Sequence, residues 1–564
     1  MTNYTGHSSD SAARRNFLTK MAATTGAVAL GQAPFALAQQ TTLATSNKGM
    51  VTSPHTLATE AGLKVLREGG NAIEATIAMG AVIAVTYPHF CGIGGDAVWI
   101  VADRDGRKTT LMGIGQAAEK TPAYSGKIPL RGAGSTVTSA CTVDTWNRAQ
   151  EFSKKHWGGK KSFGSLLDDA IGYAENGFPT TASQVFWHDF RKDEVANWPG
   201  FAKLFMPNGK ARQVGDTFLQ PDLARSLKLI VKNGPRDFYE GELAAQIAKG
   251  LKEAGSPLTA ADLKKTVTKE AAPVMLDYRG ITLLAPPSPT QGVTTLEIMG
   301  VLREFDLKNV QEGSADYYHL CVEAVKQAFL DRPGIADPDF VKQAVNLWLS
   351  KEHLARKAAA IDKNRAMPWP HVFKTGDTVY IGATDSEGRS VSILQSVYFD
   401  WGSGVVVGDT GIIWQNRGAG FSLDPKSPNV LKPGKRPFYT LTPGMALKDD
   451  KPHILFGTQG ADGQPQTLAV VLTRLIDYKL DPMQALARPR FLLGKTFSDT
   501  RDSLKLERNA GADVFAELAR RGHEMSPIES NSPLGGQAGA IVIDAAGKIT
   551  GAHDPRSDGS AMGV

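Results

Sequence analysis

The chain has 564 residues, of which 42% are hydrophobic and 21% charged, as in ordinary soluble globular proteins. Its formal net charge of +6 is small and dispersed, which argues against a nucleic-acid partner. Cys91, Cys141 and Cys321 are too few and wrongly spaced for a disulfide framework or a zinc site, and we predict that they are buried. The longest apolar run, 75–85, is shorter than the ~20 residues of a membrane-spanning helix.

The first 38 residues have the pattern of a twin-arginine export signal. Arg14-Arg15 precedes a short apolar stretch from Met21 to Leu30, and Ala36-Leu37-Ala38 offers an A-x-A cleavage site. A disordered basic tail is the alternative. The pattern predicts a signal peptide over 1–38, a mature chain that begins near Gln39, and a periplasmic or secreted protein.

The first elements predicted in the mature chain are two helices and a strand. Residues 56–68 have helical periodicity, and Asn71 forms a capping box with Glu74 for a second, apolar helix. The glycine cluster 92–95 then precedes a strand over 97–101. It lacks the third glycine of a dinucleotide fingerprint and opens no helix, so we interpret it as a tight turn.

The middle of the chain is rich in predicted helices, and the last third combines strands with helices. Apolar residues at i, i+3 and i+4 predict helices over 165–175, 222–233, 241–254 and 315–331. Residues 351–367 are charged and polar, which indicates an exposed, mobile segment. A hairpin is predicted with strands 379–384 and 390–398. Further strands are predicted at 411–414, 444–447 and 539–544, and further helices at 466–475, 482–487 and 512–521.

Thr378 lies where a polar pair, Gly376-Asp377, meets the first strand of this hairpin. If the peptide bond before it is cut, one residue carries both a hydroxyl nucleophile and a free α-amine that can act as its base. Taken alone, it would be interpreted as one more β-branched strand residue. The sequence contains no HExxH, GxSxG or P-loop motif, so metal hydrolases, serine α/β-hydrolases and ATPases lose their usual support, and we predict neither cofactor nor metal.

From about Gly49 to Arg556 the chain resembles a proenzyme of the γ-glutamyltranspeptidase family. Each matching segment is unspecific alone, but their order along most of the chain identifies the family. The segments are Gly49-Met50-Val51, GGNAIEA from Gly69, GIGG from Gly92, Glu323-Ala324-Val325-Lys326, Ala336-Asp337-Pro338-Asp339-Phe340, Thr378, Lys435-Arg436-Pro437, Gly457-Thr458-Gln459-Gly460, Arg488-Pro489-Arg490 and Asp554-Pro555-Arg556.

The resemblance implies an α/β (α+β) fold of the N-terminal-nucleophile hydrolase type, a four-layer αββα sandwich. It also implies two subunits that arise by self-cleavage and stay associated. Mapped onto this sequence, the cut falls between Asp377 and Thr378. It gives a large subunit of residues 39–377 and a small subunit of residues 378–564.

The resemblance also assigns a catalytic set. Thr378 is the nucleophile, and its α-amine, with an ordinary pKa of ~7.7–8.0, is suited to act as its base. Ser396 falls where the family has an assisting hydroxyl; a solvent-facing strand serine is the alternative. Gly460 and Ala461 fall on the turn whose backbone N–H groups stabilise the oxyanion.

The residues by which the family holds glutamate are largely replaced. Ile114 or Gly115 stands where the family has the arginine that binds the α-carboxylate, and Gly420 stands where it has an aspartate for the α-amine. The asparagine that follows the assisting hydroxyl is Tyr398, and the family's serine pair is Tyr439-Thr440. The lid-like connection 421–435 is also short.

Arg417 offers a replacement group for an anionic substrate, with a structural ion-pair role as the alternative. Its surroundings resemble a γ-glutamyltransferase-like subgroup of the family that includes oxamate amidohydrolase. We therefore predict that Arg417, Tyr398, Tyr439 and Thr440 contact the substrate. The expected enzyme is exported and self-processing, and it hydrolyses an amide of a small carboxylate through an acyl-enzyme on Thr378.

Three other functions remain open at this stage. The enzyme could be a true γ-glutamyl hydrolase or transpeptidase acting on glutathione-like amides, with an amine instead of water as acceptor. It could also be an amidase of the cephalosporin-acylase kind. From a different class, it could be a periplasmic binding protein on an inactive proenzyme scaffold. No nucleic-acid partner and no membrane span after signal removal are expected.

Overall fold

The computed structural model describes residues 42–369, 377–495 and 501–564, so the predicted export signal and the start at Gln39 lie outside the described residues. Among the helices in these ranges, none is both long and apolar enough to cross a bilayer. The strands are β1 Ala44–Ser46, β2 Met50–Ser53, β3 Asp96–Ala102, β4 Lys108–Gly113, β5 Phe178–Pro179, β6 Thr217–Phe218, β7 Lys269–Ala271, β8 Val274–Tyr278, β9 Ile281–Ala285, β10 Asp377–Thr384, β11 Ser390–Tyr398, β12 Gly444–Lys448, β13 Lys451–Thr458, β14 Phe491–Leu493, β15 Leu504–Glu507, β16 Met525–Ile528, β17 Ala538–Ile543, β18 Ile549–His553 and β19 Ser560–Gly563.

The helices are concentrated in the first two thirds of the chain, as the sequence predicts. They are α1 Thr56–Arg67, α2 Ala72–Thr86, α3 Thr142–Trp157, α4 Phe163–Asn176, α5 Ala182–Phe190, α6 Lys192–Val195, α7 Phe201–Phe205, α8 Pro221–Asn233, α9 Asp237–Glu240, α10 Glu242–Ala254, α11 Ala260–Lys264, α12 Gly292–Leu302, α13 Ala315–Phe329, α14 Val345–Trp348, α15 Lys351–Ala359, α16 Gln464–Ile476, α17 Pro482–Ala487 and α18 Ala512–Arg520. The capping box of Asn71 and Glu74 is confirmed at the start of α2.

Two seven-stranded antiparallel sheets form the centre of the molecule. The first sheet has the order β1-β18-β17-β13-β12-β9-β8, and the second has the order β19-β2-β10-β11-β3-β4-β7. Every residue of β3, β10 and β11 is buried. Strands that are covered on both faces often carry near-continuous apolar runs, as β3 does, whereas β11 also buries the polar residues Ser390, Ser392, Gln395 and Ser396.

The two sheets pack face to face, and helices cover their outer faces. Strands β10 and β11 contact β13 of the first sheet, α2 packs on β10 and β11, and α12 and α16 pack on the first sheet. Helix α2 is buried along its whole length, as its uniformly apolar sequence predicts. The four-layer αββα fold is therefore confirmed.

The ring of Tyr380 in β10 fixes the approach of the two sheets beside Thr378. A Cβ atom at Gly457 of β13 would lie 2.2 Å from this ring, and one at Gly539 of β17 would lie 2.6 Å from it. Both distances are far below van der Waals contact, so only glycine fits opposite the tyrosine.

The glycine cluster 92–95 forms a tight turn, as predicted, because neighbouring backbone leaves no room for side chains. A Cβ atom would lie 2.2 Å from the Ile413 carbonyl at Gly94 and 2.2 Å from the Ser396 carbonyl at Gly95. The three cysteines are free and buried, also as predicted. The strand predicted at 411–414 is wrong. Only isolated bridges form there, because Gly408 and Gly411 adopt positive φ angles of 50° and 70° and turn the chain.

The prediction of an exposed segment over 351–367 is met only in part, because exposed residues alternate there with buried ones. Its first half is α15, in which His353, Leu354 and Lys357 are buried. The charges are neutralised locally, since Lys357 pairs with Asp331 at 3.0 Å. Further along, Met367 donates its backbone N–H to Glu323 at 3.0 Å. Charged residues thus anchor this segment to the body of the protein.

Candidate active site

Thr378 lies in β10 at an irregularity of the ladder. Asp377 pairs with Tyr398 and Val379 with Gln395, so the register shifts across Thr378. Such bulges change the direction of a side chain and are frequent beside active sites. Thr378 is 1% exposed, and its Oγ1 accepts a long hydrogen bond, 3.4 Å, from Nε2 of Gln464.

Ser396 is fully buried and contacts the peptide bond that precedes Thr378. Its Oγ donates to the carbonyl oxygen of Asp377 at 2.5 Å and accepts from the backbone N–H of Tyr398 at 2.7 Å. The solvent-facing alternative for this serine is therefore wrong. A hydroxyl that donates to a carbonyl oxygen draws electron density from the carbonyl carbon, which here is the carbon that the Thr378 hydroxyl would attack.

The side chain of Asp377 is buried in a polar environment. Its Oδ1 accepts from Nε2 of Gln459 at 2.5 Å, and the nearby Asp400 is paired with Arg191 at 2.6 Å and Arg131 at 3.0 Å. Burial, followed by the charge of Asp400, raises the pKa of Asp377 to about 8. The carboxyl before Thr378 is therefore mostly protonated at neutral pH.

The predicted oxyanion turn follows β13 and has an unusual backbone. Gly460 has a φ of 127° and Ala461 a φ of 45°, both in regions that favour glycine. Ala461 is buried, and its carbonyl accepts from Nε2 of Gln291 at 2.7 Å. A non-glycine residue held at positive φ by its surroundings is typical of functional turns.

Arg417 is completely buried between two tyrosine rings. The carbon atom of its guanidinium lies 3.6 Å from the centre of the Tyr398 ring and 3.8 Å from that of Tyr439. Its Nη1 donates to Oγ1 of Thr440 at 3.2 Å. The structure thus brings together all four predicted substrate residues, and Tyr398 has a positive φ of 85°.

Two nitrogen atoms of this guanidinium have no partner. Within the described chain, Nε and Nη2 of Arg417 find no hydrogen-bond acceptor and no carboxylate lies at ion-pair distance. Among the described residues, Arg417 therefore does not form the structural ion pair that was the alternative. A buried cation with unpaired donors is costly, so the arrangement is suited to an anion that supplies the missing acceptors.

Asp96 is a site residue that the sequence analysis missed. Its Oδ2 accepts from the hydroxyl of Tyr439 at 2.5 Å, and its Oδ1 accepts from the backbone N–H groups of Gly115 and Cys141 at 3.1 and 2.8 Å. Burial raises the pKa of Asp96 to about 6, against these hydrogen bonds and the charge of Arg417. An acidic residue at the first position of an otherwise apolar strand was the available signal. Gln464 was also missed, although it stands close behind the oxyanion turn.

A cavity of about 250 Å³ lies beside the Arg417 turn. Gly420, the last residue of that turn, lines it together with Arg332, Ser422, Asn429 and Phe438. The position that is aspartate in the family is thus a glycine at the cavity wall. This volume suits a small molecule.

Two clusters among the described residues have metal-ligand spacing, and neither includes a residue of the Thr378 site. They are His319, Glu323 and His523, and Glu297, Asp331 and His353. In the first, the two imidazoles are hydrogen-bonded to each other at 2.8 Å and Glu323 is paired with Lys326 at 2.7 Å. In this first cluster, the ligand atoms are therefore occupied by protein partners.

Known proteins match this chain over most of its length. A family model described as gamma-glutamyltranspeptidase matches residues 58–564. The oxamate amidohydrolase proenzyme of Klebsiella pneumoniae is 41% identical over 92% of this chain and 99% of its own length. The glutathione hydrolase-like YwrD proenzyme of Bacillus subtilis is 40% identical over 92% of this chain and 98% of its own. The crystal structure of cephalosporin acylase from Bacillus halodurans has a TM-score of 0.87 and 31% identity, covering 95% of this chain and 99% of its own.

These similarities extend over nearly the whole length of each relative. They confirm the resemblance drawn from the ordered motifs, and the αββα sandwich is the fold that this resemblance implies. The protein belongs to the γ-glutamyltranspeptidase family and is an enzyme of the N-terminal-nucleophile hydrolase class.

Proposed function

We propose that the protein is a self-processing amidohydrolase that cleaves the amide of a short carboxylic acid, with Thr378 as nucleophile and Arg417 as the carboxylate anchor. The observation that carries the proposal is the buried guanidinium of Arg417, which has two unpaired nitrogen atoms and lies against Tyr398. Tyr398 is the ladder partner of Asp377. An anion bound to Arg417 would therefore lie close to the nucleophile.

Maturation begins at the Asp377–Thr378 bond. The Thr378 hydroxyl attacks the Asp377 carbonyl carbon, to whose oxygen Ser396 donates. The C–N bond breaks as the C–O ester forms, and the proton of the hydroxyl passes to the released α-amine. Water then hydrolyses the ester. This gives the large subunit, 39–377 after signal removal, and the small subunit, 378–564, which begins with a free amine.

Amide hydrolysis uses the same hydroxyl with the new amine as its base. The amine accepts the Thr378 proton as the oxygen attacks the substrate carbonyl, and then transfers it to the leaving amine. Backbone N–H groups of the turn at Gly460 and Ala461 stabilise the oxyanion. The acyl group leaves as the free acid when water, activated by the amine, attacks the ester.

The substrate side of the proposal rests on the shape of the anion site. Because Tyr398 and Tyr439 cover both faces of the guanidinium, only its edge remains for a ligand. The edge of a guanidinium matches a planar carboxylate. The relative named oxamate amidohydrolase supports an acid of this kind. Another relative is named glutathione hydrolase-like, but Ile114 and Gly420 provide no equivalent of the family's glutamate contacts.

The proposal includes export by the twin-arginine route into the periplasm or medium. Its support is the run from Arg14-Arg15 to the A-x-A site that ends at Ala38.

The test is amide hydrolysis by the processed protein, measured with oxamate, glutathione, a glutaryl amide and a neutral amide of similar size. We expect turnover of the small carboxylate amide. In Arg417→Met, kcat/KM for it should fall on the order of 10²-fold, mainly through KM, because a buried charge-assisted contact is lost. Processing and the neutral amide serve as internal controls and should change little.

Arg417→Lys is the matched variant. It keeps the positive charge but loses the planar fork, so it should recover only part of the lost kcat/KM. Efficient glutathione turnover that is unchanged in Arg417→Met would contradict the proposal.

A further inference from the structure

Gln291 connects the two ends of the site with a single side chain. It is fully buried, it precedes α12, and its backbone N–H donates to the carbonyl of Tyr439 at 2.9 Å. Its side-chain Nε2 donates to the carbonyl of Thr440 at 3.0 Å and to that of Ala461 at 2.7 Å. Both hydrogens of one amide are thus shared between the Arg417 side and the oxyanion turn.

The other atom of this amide is held by a buried cation. Oε1 of Gln291 accepts from Nε of Arg332 at 3.0 Å and from Nη2 at 2.8 Å. Nη2 of Arg332 also pairs with Asp462, the residue after Ala461. Because a cation contacts one side of the amide and two carbonyl oxygens contact the other, its orientation is fixed.

The two carbonyl groups belong to different parts of the site. The hydroxyl oxygen of Thr440 accepts a hydrogen bond from Nη1 of Arg417, and Tyr439 covers one face of the same guanidinium. The Ala461 carbonyl defines the peptide plane at the centre of the strained turn, where φ is 45°. Because the carbonyl and the N–H of Ala461 are joined through the same Cα atom, displacement of this carbonyl would move the Ala461 N–H that the proposal directs at the oxyanion.

We infer that Gln291 is a positioning residue that sets the separation between the Arg417 guanidinium and the oxyanion turn, and thereby the substrate length that the enzyme accepts. This inference rests on the function proposed above. A substrate whose carboxylate binds Arg417 reaches the turn with its amide carbonyl only when the number of intervening carbons matches that separation. Displacing a reacting group by about 1 Å costs on the order of 10²-fold in rate, so a rigid separation gives strong selection for length.

The test is a length series of monoamides of dicarboxylic acids: oxamate, malonamate, succinamate and glutaramate. The wild-type enzyme should prefer one length by on the order of 10²-fold in kcat/KM. In Gln291→Leu, kcat/KM for that length should fall by a similar factor while the other lengths change little, so the profile flattens. A role in stability alone would lower all four values together.

Gln220→Leu is the control. Gln220 is equally buried, and its Nε2 donates to the carbonyl of Val85 at 2.7 Å in a helical region outside the site. This variant should keep the wild-type length profile. Gln291→Glu keeps the contact with Arg332 but turns an acceptor toward the two carbonyl groups, and it should also flatten the profile.

Two results overturn the inference. If both Gln291 variants are processed and keep the wild-type profile, or lose activity equally on all lengths, Gln291 does not set the separation, while the proposed function stands. If the wild-type enzyme hydrolyses none of the four amides, the proposed function fails and the inference fails with it.

Discussion

The two ends of the active site consist of different kinds of chemical group. At the nucleophile end, small side chains and backbone groups surround Thr378: the hydroxyl of Ser396, the Asp377 carbonyl and the turn at Gly460. At the recognition end, large side chains stack around the guanidinium of Arg417. Backbone geometry is set by the sheets and turns, whereas stacked side chains can be exchanged without moving them. The reaction can therefore be shared across a family while the substrate changes.

The ends also differ in charge. Beside Thr378, Asp377 is mostly neutral at pH 7 because burial raises its pKa to about 8, and Asp400 is paired with two arginines. At the other end, Arg417 keeps unpaired donors. This contrast fits the proposed function, in which one end handles protons and the other binds an anion, and three variants test it.

Thr378→Ala should have the largest effect. Without the hydroxyl, neither the cut nor the acyl-enzyme can form, so a denaturing gel should show one uncut chain and activity should fall by ~10⁴-fold or more. Thr378→Ser retains the hydroxyl and should still be cut. Thr384→Val, at the far end of the same strand, is the control. A small fragment in Thr378→Ala with the same N-terminal position would show that another group makes the cut.

Ser396→Ala should slow maturation by ~10²-fold, since it removes a donor to the carbonyl under attack. The measurement is the appearance of the small fragment with time. Ser392→Ala is a matched control, because Ser392 lies in the same strand, is buried and donates to the Phe456 carbonyl at 3.2 Å. Equal processing rates in the two variants would show that Ser396 takes no part in the self-cleavage.

Asp96→Asn should have the smallest effect and a distinct pH dependence. The pKa of Asp96 is raised to about 6, above the unfolded value of ~3.9. Between these two pH values, the folded state therefore binds a proton at Asp96 that the unfolded state has lost. The stability from this group is present below about pH 4 and is lost as the pH rises to about 6. Relative to Asp96→Asn, the free energy of unfolding should therefore fall over this window, by up to roughly 3 kcal/mol.

The measurement is denaturant unfolding in a Thr378→Ala background, where a single chain unfolds. The exposed Asp105→Asn is the control and should follow the parent curve. Parallel curves for the parent and Asp96→Asn between pH 4 and 6 would contradict the assignment. At the recognition end, loss of the charged acceptor for the Tyr439 hydroxyl should lower kcat/KM only a few-fold.

The frame of the molecule was largely predictable from the sequence. The hairpin around residues 385–388, the capping box at Asn71 and the helix α2 follow from local periodicity, and the nucleophile follows from the order of the family segments. The strand predicted at 411–414 failed because two glycines with positive φ interrupt it. The segment 351–367 is less exposed than predicted because it forms a helix in which Lys357 is buried against Asp331.

The residues that were missed act across long sequence separations. Asp96 and Tyr439 are 343 positions apart, and Gln291 and Ala461 are 170 apart. Asp96 and Gln291 are polar side chains in an apolar or turn segment, and nothing in their local sequence identifies their partners. Such contacts are visible only once the strands are in register.

The ring of Tyr380 in β10 acts as a spacer of fixed thickness between the two sheets. Gly457 and Gly539 face the ring directly. The distance between the sheets at this point is therefore set by the Tyr380 ring and by the lack of a side chain at both glycines. The helices on the outside can change sequence, and the hydrophobic cores beneath them can be repacked, without altering that distance. The sequence can thus change over most of the surface while Thr378, two residues from Tyr380 in β10, keeps its position between the layers.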